Sequence, residues 1–534
     1  MKNTLHILEV AKKVGLSPAD VILYGEDKAK IKSPFTDINP QGKLILVTAI
    51  TPTPFGEGKT TMSIALQDAM WKTGTKSLLC LREPSLGPVF GIKGGATGAG
   101  RAKLYPSDDI NLHFTGDLHA LTSSINLIAA VIDNHIFQGN ALNLDPKRIT
   151  WKRSLDMNDR GLRKVRINQG TGNGTPRCEE FQITVASELM AIMCLASDPD
   201  DFIRRVKDII IGYTYEGEIV RLAALEIEDA IMHLMKQALL PNLVQTLEGN
   251  PVLVHGGPFA NIAHGCNSII ATKYALSKAP VVITEAGFAS ELGAEKFFNI
   301  KCRTANLKPN LAVVVATIKA LKMHGGVPMS AIFEENTDAL AKGFENLVQH
   351  YENLSLFGVK VLVALNLFDN DHKSEVKLFE KEMQKLGYDY ALVSSVSKGS
   401  EGGIEFANKV KALLAEETKF EFLYDTEKEV EEKIEIICKK LYRASGVKYS
   451  KRAQRELAVI KEQGFAKLPV CMAKTPLSFS DNPNLKNAPR NFNITIREFR
   501  LSAGAGFIVA LTGKVLTMPG LPKVPAAVNM KEVR

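Results

Sequence analysis

An apolar run followed by a glycine-rich turn and a helix-like run limits what this chain can fold into. Residues 43–50 are mostly apolar, residues 51–61 have the sequence Thr-Pro-Thr-Pro-Phe-Gly-Glu-Gly-Lys-Thr-Thr, and apolar residues then recur at helical spacing from Met62 to Ala69. This order predicts a strand, a turn and a helix that together form a P-loop. In a P-loop, backbone N–H groups of the turn and the positive end of the helix dipole face a phosphate.

The P-loop pattern G-x-x-x-x-G-K-[ST] is met at Gly58, Lys59 and Thr60 but fails at its first position, which is Thr53. Lys59 is expected to reach the β- and γ-phosphates of a nucleotide, and Thr60 is expected to hold Mg²⁺. The alternative is a glycine-rich strand-to-helix turn that carries a surface lysine. The candidate nucleotide-binding residues are Thr53, Pro54, Phe55, Gly56, Glu57, Gly58, Lys59, Thr60 and Thr61.

Other apolar runs predict the rest of the sheet. Continuous Val, Ile and Leu runs occur at residues 77–81, 251–255, 281–284, 311–317, 359–365 and 390–393. Runs without polar alternation are typical of strands buried on both faces. The sequence therefore predicts an α/β fold with a doubly wound, mostly parallel sheet that contains the P-loop.

Two further regions are predicted outside this sheet. The gap at residues 101–250 is too long for a crossover helix, which indicates an inserted, mainly helical subdomain. Helices are predicted there at residues 184–196, 200–211 and 225–239. A boundary is predicted near Lys419, because the capping-box pattern Thr426-x-x-Glu429 then opens a helix and residues 494–501 alternate like a strand. The expected domains are a discontinuous P-loop α/β domain (1–100 and 251–418), the inserted subdomain (101–250) and a smaller C-terminal α+β domain (419–534).

Composition excludes several classes of protein. A chain of 534 residues with 45% hydrophobic and 23% charged residues is typical of a globular protein with more than one domain. The net charge of +8 is dispersed, which predicts small anionic substrates and no nucleic-acid partner. The seven cysteines show no C-x-x-C spacing, which indicates reduced thiols and a cytoplasmic location. The apolar runs are too short for a membrane span, so no membrane association is expected.

Polar residues follow several predicted strands, where open parallel sheets bind ligands. Arg82 and Glu83 follow the second strand, and glycine-rich polar segments at residues 255–268 and 284–293 follow the third and fourth. Asp117, in the sequence Phe-Thr-Gly-Asp, supplies a carboxylate that either holds a cation or caps a turn.

Several long blocks, in order and over nearly the whole chain, resemble the formate–tetrahydrofolate ligase family. The blocks are residues 51–61, 81–95, 109–117, 133–135, 255–272, 285–297, 320–327, 489–499 and 518–527. Thr53 matches this family's own variant of the phosphate loop. Several ordered blocks are far more specific than one P-loop pattern.

The resemblance implies ATP-dependent joining of formate to tetrahydrofolate through formyl phosphate, giving 10-formyltetrahydrofolate, ADP and phosphate. Lys59, Arg82 and Glu83 are then the candidate catalytic residues, with Lys59 on the transferring phosphoryl group and Arg82 on formyl phosphate. The candidate metal ligands are Thr60 for the Mg²⁺ that arrives on ATP, and Glu83 and Asp117 for a monovalent cation, potassium or ammonium. A homotetramer that acts on small molecules alone is also implied.

The tetrahydrofolate site is where the resemblance is weakest. Phe288 and Phe368 match the rings that hold the pterin in the family, although either ring is equally suited to core packing. Members often carry a Trp shortly before Lys-Gly-x-Glu-Gly-Gly, whereas Val396 and Ser397 precede Lys398 here. A looser or rebuilt folate site is therefore expected.

Two other functions share the predicted fold. One is another P-loop carboxylate-activating ligase, of the dethiobiotin synthetase kind, that joins a different amine. The other is a nucleotide-switch ATPase, which commonly uses a second P-loop lysine or partner-contacting cysteines. Thr53 stands where that second lysine would fall, which disfavours the switch.

Overall fold

Apolar runs at the predicted strand positions form the centre of a large sheet in the computed structural model, which describes residues 4–36, 38–513 and 515–530. The strands, in chain order, are β1 (Val21–Leu23), β2 (Ala29–Ile31), β3 (Lys43–Ala49), β4 (Ser77–Leu81), β5 (Gly98–Ala99), β6 (Ala102–Tyr105), β7 (Val165–Ile167), β8 (Arg177–Glu179), β9 (Ile210–Tyr213), β10 (Ile219–Arg221), β11 (Asn242–Thr246), β12 (Pro251–Val254), β13 (Val281–Glu285), β14 (Leu311–Ala316), β15 (Lys360–Asn366), β16 (Tyr390–Val393), β17 (Gly446–Tyr449), β18 (Val470–Ala473), β19 (Asn493–Ile496), β20 (Glu498–Ser502) and β21 (Phe507–Leu511).

Helices connect and cover these strands. The α-helices, in chain order, are α1 (Ile7–Lys13), α2 (Lys59–Lys72), α3 (Leu86–Pro88), α4 (Ser107–Asn111), α5 (Asp117–Phe137), α6 (Glu188–Leu195), α7 (Pro199–Lys207), α8 (Glu228–Met235), α9 (Ile269–Lys278), α10 (Arg303–Ala305), α11 (Ile318–His324), α12 (Thr337–Ser355), α13 (Lys373–Leu386), α14 (Ser395–Lys398), α15 (Ile404–Ala415), α16 (Val430–Lys440) and α17 (Lys451–Glu462). Short 3₁₀ segments lie at Pro18–Asp20, Arg160–Arg163, Thr184–Ala186, Leu222–Leu225, Met329–Ala331, Gly399–Gly403 and Ala526–Asn529, and π-helical segments at Val89–Lys93, Ser290–Ala294 and Phe297–Cys302.

The central sheet has the order β1-β2-β11-β12-β4-β13-β3-β14-β15-β16, with β6 beside β11 and β5 beside β6. Neighbouring strands from β12 to β16 are parallel, whereas β1, β2, β11 and β12 pair antiparallel. Strand β3 lies inside the sheet. Strands β13, β4 and β12 lie on one side of it, and β14, β15 and β16 lie on the other. The predicted mixed α/β fold with a mostly parallel central sheet is confirmed.

Alternating residues of β3 enter two different hydrophobic cores. Ile45 and Val47 pack with residues of α2 and α15 on one face, whereas Leu44 and Leu46 join the core that includes residues of α9 and α12 on the other. Because both faces are covered, the run has no polar alternation. The parallel pairing also brings the carboxyl ends of β4, β13 and β3 to one edge of the sheet.

Residues 101–250 contain the three predicted helical regions with different bounds. Residues 184–196 form the 3₁₀ segment Thr184–Ala186 and α6, and residues 225–239 are helical mainly over α8. The helix predicted at 200–211 is too long, because α7 ends at Lys207 and Ile210 begins β9, which pairs with β10. Strands β6 and β11 of this segment join the central sheet. The division into domains stays a prediction.

In the C-terminal region the predicted helix forms, and the single strand predicted at residues 494–501 is replaced by two strands. Helix α16 forms, but it begins at Val430 with Glu429 at the N-cap and without a side-chain cap, so the capping box predicted from Thr426 is wrong. The Glu429 carboxylate instead pairs with Lys461 at 2.8 Å. Residues 494–501 divide between β19 and β20, which lie in different sheets.

Helix α5 packs its apolar face inside the protein. By length and composition, with a mean hydropathy of 1.2, it is the one helix in the described part of the chain that is suited to crossing a membrane. Here Leu121, Ile125 and Ile128 are fully buried, and the Ile125 carbonyl accepts a 2.9 Å hydrogen bond from the Trp151 indole. These contacts are those of a core helix.

The close crossing of α11 and α12 provides a test of helix packing in this fold. A Cβ at Gly343 of α12 would overlap the Leu321 carbonyl of α11, so Gly343→Ala should lower the free energy of unfolding by about 1–3 kcal/mol despite the better helix propensity of alanine. Denaturant unfolding measures the change. Lys342→Ala, on the exposed side of the same helix, is the control and should change stability by less than about 0.5 kcal/mol. A stabilised Gly343→Ala variant would contradict the crossing.

Candidate active site

The turn between β3 and α2 has the backbone geometry of an anion-binding loop. Helix α2 begins at Lys59, and its N-cap residue Gly58 has a left-handed φ of 80°. Side chains disfavour this conformation, and a Cβ at Gly58 would lie 2.6 Å from the Asn366 side-chain nitrogen. The turn therefore leads directly into the N-terminus of α2, where free backbone N–H groups and the helix dipole favour an anion.

Hydrogen bonds to the buried Glu57 side chain stabilise this turn. Its carboxylate accepts hydrogen bonds from the Thr53 N–H at 2.8 Å and from the Thr317 hydroxyl at 2.9 Å. Its carbonyl accepts a 3.2 Å bond from the Asn366 side chain. Burial raises the pKa of Glu57, and the bonds from Thr53 and Thr317 oppose that rise. Among the predicted nucleotide-binding residues, Glu57 and Thr53 therefore shape the loop.

The remaining predicted loop residues differ in exposure. Pro54, Phe55 and Gly56 form an exposed tip, Lys59 and Thr60 are half-buried, and Thr61 is buried. Half-buried positions at the start of α2 leave Lys59 and Thr60 accessible to a ligand.

Glu285, at the end of β13, lies against the start of α2 and was not among the predicted site residues. The Thr60 hydroxyl donates to its two carboxylate oxygens at 3.0 and 3.2 Å. Burial lowers the pKa of the Lys59 ammonium, and Glu285 and then Glu57 oppose that shift. The sequence signal that could have identified Glu285 is its position one residue past a predicted strand.

Arg82 and Glu83 lie at the carboxyl end of β4, two strands from β3. The Arg82 Nε and the Glu83 Oε2 are buried and have no hydrogen-bond partner in the described structure. Burial raises the pKa of Glu83 well above its ordinary value; Asp117 adds to the rise and Lys30 opposes it. Both predicted catalytic residues thus present unpaired polar atoms beside the sheet edge.

Asp117 is held by a buried lysine that the sequence did not single out. The Lys30 ammonium, on β2, lies 2.7 Å from Asp117 Oδ1 and 2.9 Å from the Leu240 carbonyl, and neither charged side chain is more than 1% exposed. The other Asp117 oxygen accepts a 2.8 Å bond from Asn242. In the described residues, no group of three or more His, Cys, Asp and Glu side chains forms a metal cluster.

The two predicted folate rings lie in different settings. Phe288 follows β13 and is half-buried with a φ of 61°, a conformation that costs a bulky residue about 1–3 kcal/mol. Phe368 lies under the Lys319 ammonium, 4.2 Å from the ring centroid, and Lys319 also covers Phe333. Phe333 in turn meets Phe55 of the P-loop tip edge-on at 5.9 Å. Among the described ring contacts, none joins Phe288 to Phe368.

The segment in which the resemblance places a tryptophan carries small side chains instead. Val396 lies in α14, and its carbonyl accepts a 3.0 Å hydrogen bond from the Arg101 N–H. The backbone of Gly100 packs directly on Val396. Backbone contacts therefore join α14 to the turn between β5 and β6.

Comparison with known proteins places these residues in one family. The model of the family described as formate–tetrahydrofolate ligase matches residues 1–533. A formate–tetrahydrofolate ligase from Symbiobacterium thermophilum is 52% identical over 526 residues, which cover 98% of this chain and 95% of that protein. A solved structure of translation elongation factor SelB from Methanococcus maripaludis, in its apo form, matches 28% of this chain and 29% of its own at 16% identity, and its TM-score of 0.16 supports no inference. On the family match and the 52% identity, the chain belongs to the formate–tetrahydrofolate ligase family of enzymes.

Proposed function

We propose that this chain joins formate to tetrahydrofolate at the expense of ATP, with formyl phosphate as the intermediate. The observation that carries the proposal is that three neighbouring strands end together at one edge of the sheet. Arg82 and Glu83 follow β4, β13 ends in Glu285, and β3 leads into the phosphate loop and Lys59. A phosphate-binding loop and an unpaired guanidinium at one edge suit a phosphoryl group passing from ATP to a small carboxylate.

Two steps account for the products. A formate oxygen attacks the γ-phosphorus of ATP, a new P–O bond forms, and ADP leaves. The N10 amine of tetrahydrofolate then attacks the formyl carbon, the C–O bond to phosphate breaks, and the nitrogen loses its proton. Formate itself is a poor acyl donor, because its leaving group would be oxide; phosphorylation provides phosphate as the leaving group.

Residues at the edge have separate roles in these steps. Lys59 and the P-loop amides stabilise the transferring phosphoryl charge. Arg82 offers its planar fork to formyl phosphate, and its unpaired buried Nε is consistent with a ligand in that place. The strained backbone at Phe288, beside the same edge, supports a ligand-binding role for its ring, with Phe368 as the second candidate for the pterin.

The oxygen atoms at this edge of the sheet are suited to binding the expected cations, which are Mg²⁺ and potassium or ammonium. Thr60 and Glu285 supply the hydroxyl and carboxylate oxygens that Mg²⁺ prefers, and Mg²⁺ would arrive with ATP and neutralise its phosphates. Glu83 Oε2 is buried and unpaired, which fits a potassium or ammonium ion beside Asp117. Because Lys30 and Asn242 already occupy both Asp117 oxygens, Glu83 is the side chain of this pair with an available oxygen.

The family also supports a homotetramer in the cytoplasm that acts on ATP, formate and tetrahydrofolate, without a nucleic-acid or membrane partner. These properties are part of the proposal.

The direct test is ADP release with each substrate omitted in turn. We expect release to require formate and tetrahydrofolate together, and Lys59→Ala to lower it by about 10²-fold or more while the fold is retained. Release without formate would favour a nucleotide-switch ATPase. Release that needs a carboxylate but not tetrahydrofolate would favour a different carboxylate-activating ligase.

Arg82→Lys tests whether charge or the planar fork matters at the end of β4. Lysine keeps the charge but loses the paired donors, so the turnover number should fall at least about tenfold, or about 1.4 kcal/mol, with a much smaller change in the ATP Michaelis constant. Steady-state kinetics with each substrate varied measures both. Full turnover, or a loss of ATP affinity alone, would make Arg82 a binding or structural residue.

Cation dependence tests Glu83 and Asp117. Two carboxylates close to bound phosphates repel them, so a cation that fits between should activate the enzyme. Potassium or ammonium is expected to raise turnover more than a bulky organic cation at the same ionic strength. Equal activation by all salts would indicate screening alone and would remove the cation site.

A further inference from the structure

Among the described residues, four histidines are buried, and three of them have both ring nitrogens paired. His255 contacts the Ser268 hydroxyl and the Ala238 carbonyl, each at 2.7 Å. His350 contacts the hydroxyls of Thr51 at 3.0 Å and Ser290 at 2.7 Å. His324 contacts the Thr51 carbonyl at 3.0 Å and accepts from the Asn487 N–H at 3.3 Å.

His264 is the fourth, and its ring has no partner at all. It is fully buried, and both Nδ1 and Nε2 lack a hydrogen bond. A buried polar group without a hydrogen-bond partner is destabilising, and a ligand that pairs with it removes that cost. Two unpaired nitrogens on one buried ring are therefore suited to binding a ligand.

The loop that carries His264 lies against Arg82. The Gly265 carbonyl accepts a 3.0 Å hydrogen bond from the Gly287 N–H, just beyond β13. The position of a Cβ on Gly287 lies 3.2 Å from Arg82 Nη1 and 3.4 Å from the Gly265 oxygen. The Gly287 backbone therefore lies between the Arg82 guanidinium and the carbonyl of Gly265, the residue after His264. The Arg82 charge also lowers the pKa of His264, which sets the unpaired Arg82 Nε and the unpaired His264 ring in the same region.

Charges around His264 favour an anion. Burial first, and then the cations of Lys301, Lys296 and Arg82, hold the pKa of His264 well below its ordinary value, so its ring is neutral, with one N–H to donate.

Lys296 donates to the carbonyls of Ala260 at 2.6 Å and Met472 at 3.4 Å. Lys301 donates to Asn267 and to the Thr272 hydroxyl at 2.8–2.9 Å. In these contacts both ammonium groups donate to neutral oxygens, although the carboxylates of Glu291 and Glu295 lie close enough to interact with the Lys296 charge. The charges that act most strongly on His264 itself are those of cations.

We propose that the His264 imidazole contacts the acyl-phosphate end of the substrate, donating its N–H to an oxygen of that group beside Arg82. This inference rests on the proposed function and adds to it a second donor. A neutral donor adds no further charge to a region that already holds several cations. Its effect resembles that of an oxyanion-hole donor, which contributes about 10²–10³-fold to turnover.

The test compares apolar substitutions at a paired and an unpaired histidine. His264→Leu should lower turnover by about 10²-fold or more and leave the melting temperature of the ligand-free enzyme unchanged or higher, because no hydrogen bond is lost. His255→Leu, the matched control, should lower the melting temperature, because it leaves Ser268 and the Ala238 carbonyl unpaired. Of His264→Asn and His264→Gln, which keep an N–H donor, at least one should recover about tenfold of the lost turnover.

A binding measurement separates this inference from the proposed function. With MgADP saturating, inorganic phosphate should raise the melting temperature of the wild-type enzyme and of His255→Leu but not of His264→Leu. If the wild-type enzyme shows no ADP release dependent on formate and tetrahydrofolate, the proposed function fails, and the phosphate shift alone decides the role of His264. The inference is overturned if His264→Leu keeps wild-type turnover or the phosphate shift, or if it loses as much thermal stability as His255→Leu.

Discussion

Parallel pairing of β4, β13 and β3 is the constraint on which the rest of the structure depends. The register sets Ile283 of β13 beside Ile45 of β3 and Leu79 of β4, so the three strands end almost level. Residues that are more than 200 positions apart in sequence, such as Thr60 and Glu285, become neighbours through that register. Without that register, the turn before Lys59 and the Arg82 segment would be two unrelated turns.

Buried charge is the second feature of this edge, and it carries an energetic cost. The Lys30–Asp117 pair is removed from water, and loss of either partner would leave a charge whose burial costs about 3–5 kcal/mol. The Asn242 side chain and the Leu240 carbonyl complete the hydrogen bonding of that pair. Arg82, Glu83 and His264, by contrast, keep unsatisfied atoms. The same edge of the protein therefore combines charged groups that are paired with one another and groups with unpaired atoms, which are suited to a ligand.

Local sequence patterns predicted the central strands closely and the peripheral elements less well. Strands β4 and β16 have their predicted bounds, since a run buried on both faces has the same signature whatever its neighbours are. The helix predicted to reach residue 211 failed because Ile210 and Ile211 pair with a strand that the sequence did not reveal. The capping box at Thr426 failed because the helix begins at Val430 with Glu429 as its N-cap residue, so Thr426 lies three residues before the cap. In the first failure a tertiary contact outweighed a local preference, and in the second the helix began later than the pattern predicted.

By itself, the sequence determined the mostly parallel α/β sheet, the strand, turn and helix around Lys59 and the family to which the chain belongs, because these depend on residues close together along the chain. Tertiary structure alone decided which charged groups are paired. Lys30 is an ordinary lysine in the sequence, and only the fold sets it 2.7 Å from Asp117. His255 and His264 are both histidines of one loop, yet one ring is saturated and the other has no partner. Burial and pairing of a polar side chain depend on what distant segments bring to it, and no local pattern encodes that.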